Sequence, residues 1–340
     1  MPITTLLVKS FNRPYYLDRC LQSIADQVRG EYEVVVLDDG TPPAYLDEIT
    51  RRHPSVRIEP SALYDAKVAQ LAAHVAGTAS FSLRIIPTKL WLNGVKQASD
   101  IFCMLEDDIW VTQPFDVDAM TAYMRERQIV LAKMYWGGDP SSFEGKLAGG
   151  VAGLREYVPA LPKGPEWFTR MLLLNTFKSQ SVLHRLGLVP EGIYYQLPFY
   201  GLYSVASAMF DKNYWLHLWP AEQQKANEVH QLARAMTWTK RRPARFAKAE
   251  QELTQTSFIT SATNSFADVE FDVFAGNHYL NEAWLHRRFD AMAGYPRDFD
   301  PEYLRPVFDQ ANDPRCTYAN WQRWIVRFKQ LYASMGVVVD

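Results

Sequence analysis

Residues 99–112, SDIFCMLEDDIWVT, decide how this chain is read. The apolar run Ile101 to Leu105 leads straight into three carboxylates, Glu106, Asp107 and Asp108, and apolar residues resume at Ile109 and Trp110. A run so short and so apolar predicts a buried strand. Carboxylates at its end are costly to hold in a core unless each meets a hydrogen bond, a cation or water, so they belong at a mouth. In open α/β sheets that mouth lies beyond the carboxyl ends of the strands, where ligands bind. Oxygen ligands of this kind suit Mg2+ or Mn2+, which take one or two protein carboxylates plus substrate phosphates. A solvated acidic turn is the plain alternative, and the preceding hundred residues decide between the two.

Working outward, Thr88 to Ala98 reads as a helix feeding the acidic strand, preceded by an apolar run Phe81 to Ile86 and a helical stretch Tyr64 to Ala76. At the start, Thr4 to Val8 is β-prone, Asn12, Arg13 and Pro14 punctuate it, and Tyr15 to Gln27 has helical spacing through Leu17, Leu21 and Ile24. Tyr32 to Leu37 repeats the strand pattern and runs into Asp38, Asp39 and Gly40, a sharp turn signal. A helix Tyr45 to Arg52 and a strand Val56 to Glu59 follow. Strands alternating with helices imply a parallel sheet wound by right-handed crossovers. Both acidic strand ends then share one sheet edge.

The order of three segments carries a resemblance. TTLLVKSFNRPYYLDRCLQSIADQ (4–27), YEVVVLDDGTPP (32–43) and DIFCMLEDDIWV (100–111) together resemble the N-terminal half of GT-A-fold, family-2-like glycosyltransferases. The resemblance spans about residues 3–135 and weakens to about 191. It implies a GT-A-like, Rossmann-like, mostly parallel sheet flanked by helices, with a mostly helical C-terminal part. The activity it implies is metal-dependent transfer of a sugar from a nucleotide-diphosphate donor to a hydroxyl of a saccharide or glycolipid, as in surface polysaccharide synthesis. By the same resemblance Asp39, with Asp38 second, holds the base or ribose, and Ser10, Asn12 and Arg13 line the base. Glu106, Asp107 and Asp108 form the acidic DxD-type motif, with Asp108 the first choice as metal ligand and Asp107 beside it. Lys89 and Arg84 are candidates to supplement the ion, and Asn93 to sit near the donor; each reads equally as a surface residue.

The acceptor half departs from the family pattern. LLLNTFKSQSVLHRLG (172–187) with the following LVPEG resembles the acceptor-side helix, and Glu191 is its matching acid. The acid expected some ten residues further on is missing from Leu197 to Ser207. A general base must reach the attacking hydroxyl within hydrogen-bond distance, so Glu191, then Asp211 and Glu222, are the candidates. Inversion is the expected outcome; retention, or an inactive nucleotide-binding scaffold, are the alternatives. His217 and His230 read as extra metal ligands or as core residues. A sugar nucleotidyltransferase would show a glycine-rich loop after the first strand, and Lys9 to Pro14 holds no glycine.

Composition bounds the rest. The net charge of −2 over 340 residues gives no reason to expect a nucleic-acid partner. The three cysteines, Cys20, Cys103 and Cys316, have no ligand-like spacing and point to a reducing compartment. No leader and no stretch of 18 apolar residues is visible, so the expected location is cytoplasmic. The expected division is a nucleotide-sugar domain at 1–220 and a helical extension at 221–340. Within it KRRPARFAK (240–248) is either a solvated basic loop or a face for anionic lipid or a phosphorylated acceptor. Asp268, Glu270 and Asp272 would share one face of a strand. Trp321, Trp324, Ile325, Phe328, Leu331, Tyr332 and Met335 form a helical stripe, for its own domain or for the inner membrane face. The glycine-rich stretch 135–153 is a candidate lid.

Overall fold

The computed structural model describes residues 3–138, 152–223, 227–242 and 244–339. Period-two alternation builds its centre. In β1 (Thr4–Ser10) Leu6 and Val8 pack on one face of the sheet and Leu7 on the other. α1 (Pro14–Gln27) opens on a proline, whose missing N–H is no loss at a first helical position, and buries Leu17, Cys20, Leu21 and Ile24. The short β2 (Val28–Arg29) leads to β3 (Tyr32–Asp38), α2 (Pro43–Arg52) and β4 (Arg57–Pro60). α3 (Tyr64–Val75) and α4 (Thr88–Gln97) return the chain to β5 (Ile101–Glu106). β4, β3, β1 and β5 lie side by side, all parallel.

Next come β6 (Ile109–Val111), β7 (Phe115–Asp116), α5 (Val117–Arg127), β8 (Ile129–Lys133) and β9 (Leu154–Tyr157). Short helices α6 (Glu166–Leu173), α7 (Ser179–Arg185) and α8 (Gly192–Gln196) precede β10 (Ala208–Asp211) and α9 (Lys212–Leu218). α10 (Glu228–Arg241), β11 (Arg245–Ala249), β12 (Thr254–Thr256), α11 (Val273–Leu285), α12 (Pro301–Ala311) and α13 (Tyr318–Ala333) follow. The main sheet runs β4-β3-β1-β5-β10-β8-β11-β9. Among the described strands of this sheet only β10 and β9 run against the rest. One face packs α1, α5, α11 and α13; the other packs α4, α6, α9 and α10. The expected sheet, mostly parallel and covered on both faces, is present. β11, past residue 220, is one of its strands.

In the apolar run Phe81 to Ile86, Phe81 packs on Leu71 and Phe274 and the segment crosses the carboxyl edge of the sheet. Several local expectations differ from the structure. The stretch 172–187 is not one helix, because Asn175, Phe177 and Lys178 adopt positive φ and break it. Asp268, Glu270 and Asp272 share no strand: Asp272 caps α11 by accepting from the Phe274 and Ala275 N–H groups, and Asp268 pairs with Arg327. In 240–248, Arg241 pairs with Glu166, Arg245 with Glu156, and Arg242 lies on Trp238. The α13 stripe packs inward through Trp321, Trp324, Ile325 and Phe328, so it serves its own domain. Residues 139–151 of the candidate lid lie outside the described residues. No helix among the described residues is long and apolar enough to cross a membrane.

One arginine ties the segment before α13 to the end of α3. Arg315 donates to the carbonyls of His74 and Val75 and pairs with Asp313 at 2.7 Å. Its hydrogen bonds hold the Asp313 carboxyl down at about 2. Because the folded value lies below the unfolded one, the pair's contribution is complete above about pH 4 and lost as pH falls towards 2. A third of the Arg315 side chain is exposed, so the expected contribution is about 1 kcal/mol. Urea midpoints of the wild type and Asp313→Asn should therefore differ near neutral pH and converge in acid.

Candidate functional site

Three strand ends meet at one mouth. The register aligns Ser10 with Asp38 and Lys9 with Glu106, so β3, β1 and β5 deliver their carboxyl ends side by side. Beyond Ser10 the chain turns through Asn12 at φ +54°. The Phe11 N–H donates to Asp107 at 3.0 Å. The Arg13 guanidinium then forks across both acids, one nitrogen donating to Asp107 and the other to Asp108 at 2.6 Å. Its planar donors and permanent charge suit such a buried double contact. Burial alone would lower the Arg13 pKa, but Asp107 and Asp108 together raise it above the usual value. Burial in turn raises both carboxyls against the pull of Arg13. Lys9 pairs with Glu106 at 2.7 Å and, against burial, draws that carboxyl below its usual value.

The neighbouring acids divide their work. Asp38 is fully buried and accepts from the Gly40 and Thr41 N–H groups and the Thr41 hydroxyl. It shapes the turn. One oxygen of Asp39 accepts from Lys67, whose ammonium also donates to the Ile85 carbonyl at 2.6 Å, while the other oxygen is buried without a partner. Burial, its largest influence, raises the Asp39 carboxyl despite Lys67. One oxygen of Asp108 is likewise buried and unpartnered.

Lys9, Arg13, Asp39, Lys67 and the acids Glu106 to Asp108 line a cavity of about 310 Å³. Phe11, Phe81, Leu83 and Ile85 form an apolar wall near Asp39, and Lys9, Arg13 and Arg84 supply positive charge. The far wall is Thr260 to Asn264, backed by Phe328 and Tyr332 of α13. Two indoles hold that wall, Trp321 donating to the Ile259 carbonyl at 2.9 Å and Trp324 to the Asn264 carbonyl at 3.1 Å. Burial pushes the Tyr332 hydroxyl up to about 12, with Asp108 and Glu106 adding to it. Trp324→Phe should cost about 1–2 kcal/mol from the lost hydrogen bond and smaller ring. Urea denaturation reads that loss, and any ligand of the cavity should bind the variant more weakly.

Of the residues expected from the sequence, Ser10, Arg13, Asp39, Arg84, Glu106, Asp107 and Asp108 come together here, and Asp38 lies behind them in the turn. Others do not. Asn281 takes up the carbonyl and side chain of Asn12, so Asn12 faces away from the cavity. Lys89 and Glu222 lie 3.8 Å apart, each well exposed, as a surface pair. Glu191 is exposed at the start of α8 and Asn93 is exposed on α4. Asp211 aligns with Ile101 in the antiparallel β10–β5 pair. It therefore sits at the amino end of β5, roughly 16 Å of strand from Glu106, where it caps α9. His217 meets the Arg234 carbonyl and the Trp238 ring, and His230 is exposed. Lys9, Phe11, Lys67, Thr260 to Asn264 and Tyr332 were not anticipated. The strand pattern marks Lys9 as a cation beside Glu106 once register is known; nothing in the sequence marks the far wall. Among the described residues no three His, Cys, Asp or Glu side chains stand close enough to hold a metal ion by themselves.

A known family matches one N-terminal segment of the chain. Residues 5–62 match the model of the family described as glycosyl transferase family 2, the segment that holds β1, α1, β3 and the Asp38–Asp39 turn. No curated protein matches the chain. Among solved structures it is similar to S. aureus TarS at 11% identity, covering 96% of this chain and 54% of that one, with a TM-score of 0.42. It is also similar to S. aureus TarS 1-349 in complex with UDP, at 12% identity, 96% and 91% coverage and a TM-score of 0.45. The chain thus spans about half the length of the first of these.

Proposed function

We propose that this family-2-like glycosyltransferase moves a sugar from a nucleoside-diphosphate donor to an acceptor hydroxyl at the carboxyl edge of its sheet. The observation that carries the reading is the cavity itself. An unpartnered Asp39 oxygen sits beside an apolar wall at one end, and acids interleaved with Lys9, Arg13 and Arg84 stand at the other. A flat base fits the apolar wall and offers an N–H to Asp39; the diphosphate fits the charged end. Asp108, with its spare oxygen, would hold Mg2+ or Mn2+, since such an ion needs only one or two carboxylates when phosphates complete its shell. When bound, that ion stabilises charge on the departing diphosphate. Lys9 and Arg13 add fixed positive charge from the chain itself.

The acceptor, a saccharide or lipid-linked sugar, approaches past Thr263, Asn264 and Tyr332. Glu106 is about a third exposed and kept ionised by Lys9, so we assign it the proton of the attacking hydroxyl. Direct displacement inverts the anomeric centre. Three buried free thiols, Cys20, Cys103 and Cys316, support a reducing, cytoplasmic setting.

The test is nucleotide release from a panel of UDP-, GDP-, CMP- and dTDP-sugars with Mn2+, with and without simple saccharide acceptors. Turnover of at least one donor is expected. Binding without turnover across the panel would leave the binding-only reading, which one observation favours: Glu191, Asp211 and Glu222 all lie outside the cavity.

A further inference from the structure

Large apolar side chains are left uncovered together in one stretch, residues 167–188. Among the described residues, Trp167 is 68% exposed, Phe177 94%, Val182 51%, Leu186 65% and Leu188 67%. Helical spacing groups them. On α6, Trp167 shares its outer face with Arg170 and the half-buried Met171; on α7, Val182 shares its outer face with Arg185, and Leu186 follows directly. The inner sides of both helices, through Leu172, Leu173 and Leu183, pack on the same core against the sheet. α6 and α7 also contact one another, so their uncovered side chains lie on neighbouring parts of the surface. Between them the positive φ angles at Asn175, Phe177 and Lys178 break the helix and leave Phe177 outside any packing.

Charge says what covers this face. From Trp167 to Pro190 the chain has no Asp or Glu, while Arg170, Lys178 and Arg185 are all exposed, in a protein whose overall charge is −2. A second copy of the chain laid on this face would bring like charges together. An anionic bilayer meets both needs at once. Rings and aliphatic groups enter the boundary between headgroups and acyl chains, and the cations meet lipid phosphates.

We propose that α6, α7 and the Asn175–Lys178 break form a peripheral docking surface for an anionic lipid membrane. α13, which buries Trp321, Trp324, Ile325 and Phe328 against its own domain, has no part in it.

The experiment is flotation of the full chain with vesicles of pure phosphatidylcholine and with vesicles containing about 30 mol% phosphatidylglycerol. No sugar donor is present, so the result is independent of transferase activity. The wild type should float with the anionic vesicles and lose most of this binding to neutral ones or at high salt. Phe177→Ala/Leu186→Ala and, separately, Lys178→Glu/Arg185→Glu should each lower the partition coefficient by about tenfold or more. All four side chains are exposed, so both variants should keep the wild-type melting temperature. Absence of flotation with either vesicle overturns the proposal, as does flotation unchanged in both variants. Concentration-dependent self-association without lipid, abolished by the apolar pair and accompanied by no vesicle binding, would assign the face to a second copy instead.

Discussion

Glu106→Gln is expected to lower kcat by about 10²–10⁴-fold, the range for losing a positioned proton acceptor, while leaving the donor KM nearly unchanged. The glutamine keeps the size of the side chain and removes its charge. Of the cavity's carboxylates, Asp107 is buried and bound on both oxygens, Asp39 is tied to Lys67, and Asp108 is mostly enclosed beside Arg13. Glu106 alone among them combines exposure with a cation that keeps it ionised. Steady-state kinetics on the donor released in the panel assay separates the outcomes. A raised KM with kcat intact would place Glu106 in donor binding and leave the proton to another group.

Arg13→Met should destabilise the fold by about 3–5 kcal/mol, the cost of stranding buried charge. Among the described residues the guanidinium is the only cation paired with Asp107 and Asp108, and its removal leaves two adjacent, largely buried carboxyls uncompensated. Urea denaturation measures the loss. Adding Asp107→Asn to the variant should recover part of it, because the second substitution removes the charge the first exposed, and the double-mutant cycle should be non-additive. Arg13→Lys keeps one charge but not the fork, so its cost should fall between wild type and methionine. Losses that simply add would show that the three groups act separately.

What the sequence revealed and what it hid follow from range. β1, β3 and β5 were legible because each is short, apolar and punctuated, and their alternation fixes which residues face which layer. The acids at their ends were legible for the same reason. Asp39 is ranked ahead of Asp38 by the resemblance alone; the physical reason for the order, hydrogen bonds that tie Asp38 to Gly40 and Thr41 and leave Asp39 to line the cavity, is visible only in the fold. Asp211 is a candidate base in the sequence only for want of an acid between Leu197 and Ser207, and the sequence says nothing about strand direction: β10 runs antiparallel and carries Asp211 to the opposite edge. Asn12 follows the strand as a ligand residue would, yet its partner is Asn281, far along the chain. The far wall, Thr260 to Asn264, has no periodicity of its own and is held by indoles of α13. Such long-range contacts leave no local trace.

The proposed ligand of this cavity is a nucleoside diphosphate. Thermal-shift titrations of UDP, GDP, CMP and dTDP, with and without Mn2+, test it on the wild type and on Asp39→Asn. At least one nucleoside diphosphate should stabilise the wild type, by about 2.7 kcal/mol at a concentration a hundredfold above its Kd, and Asp39→Asn should lose most of that shift. No shift with any nucleotide, or the same shift in both proteins, would contradict the account.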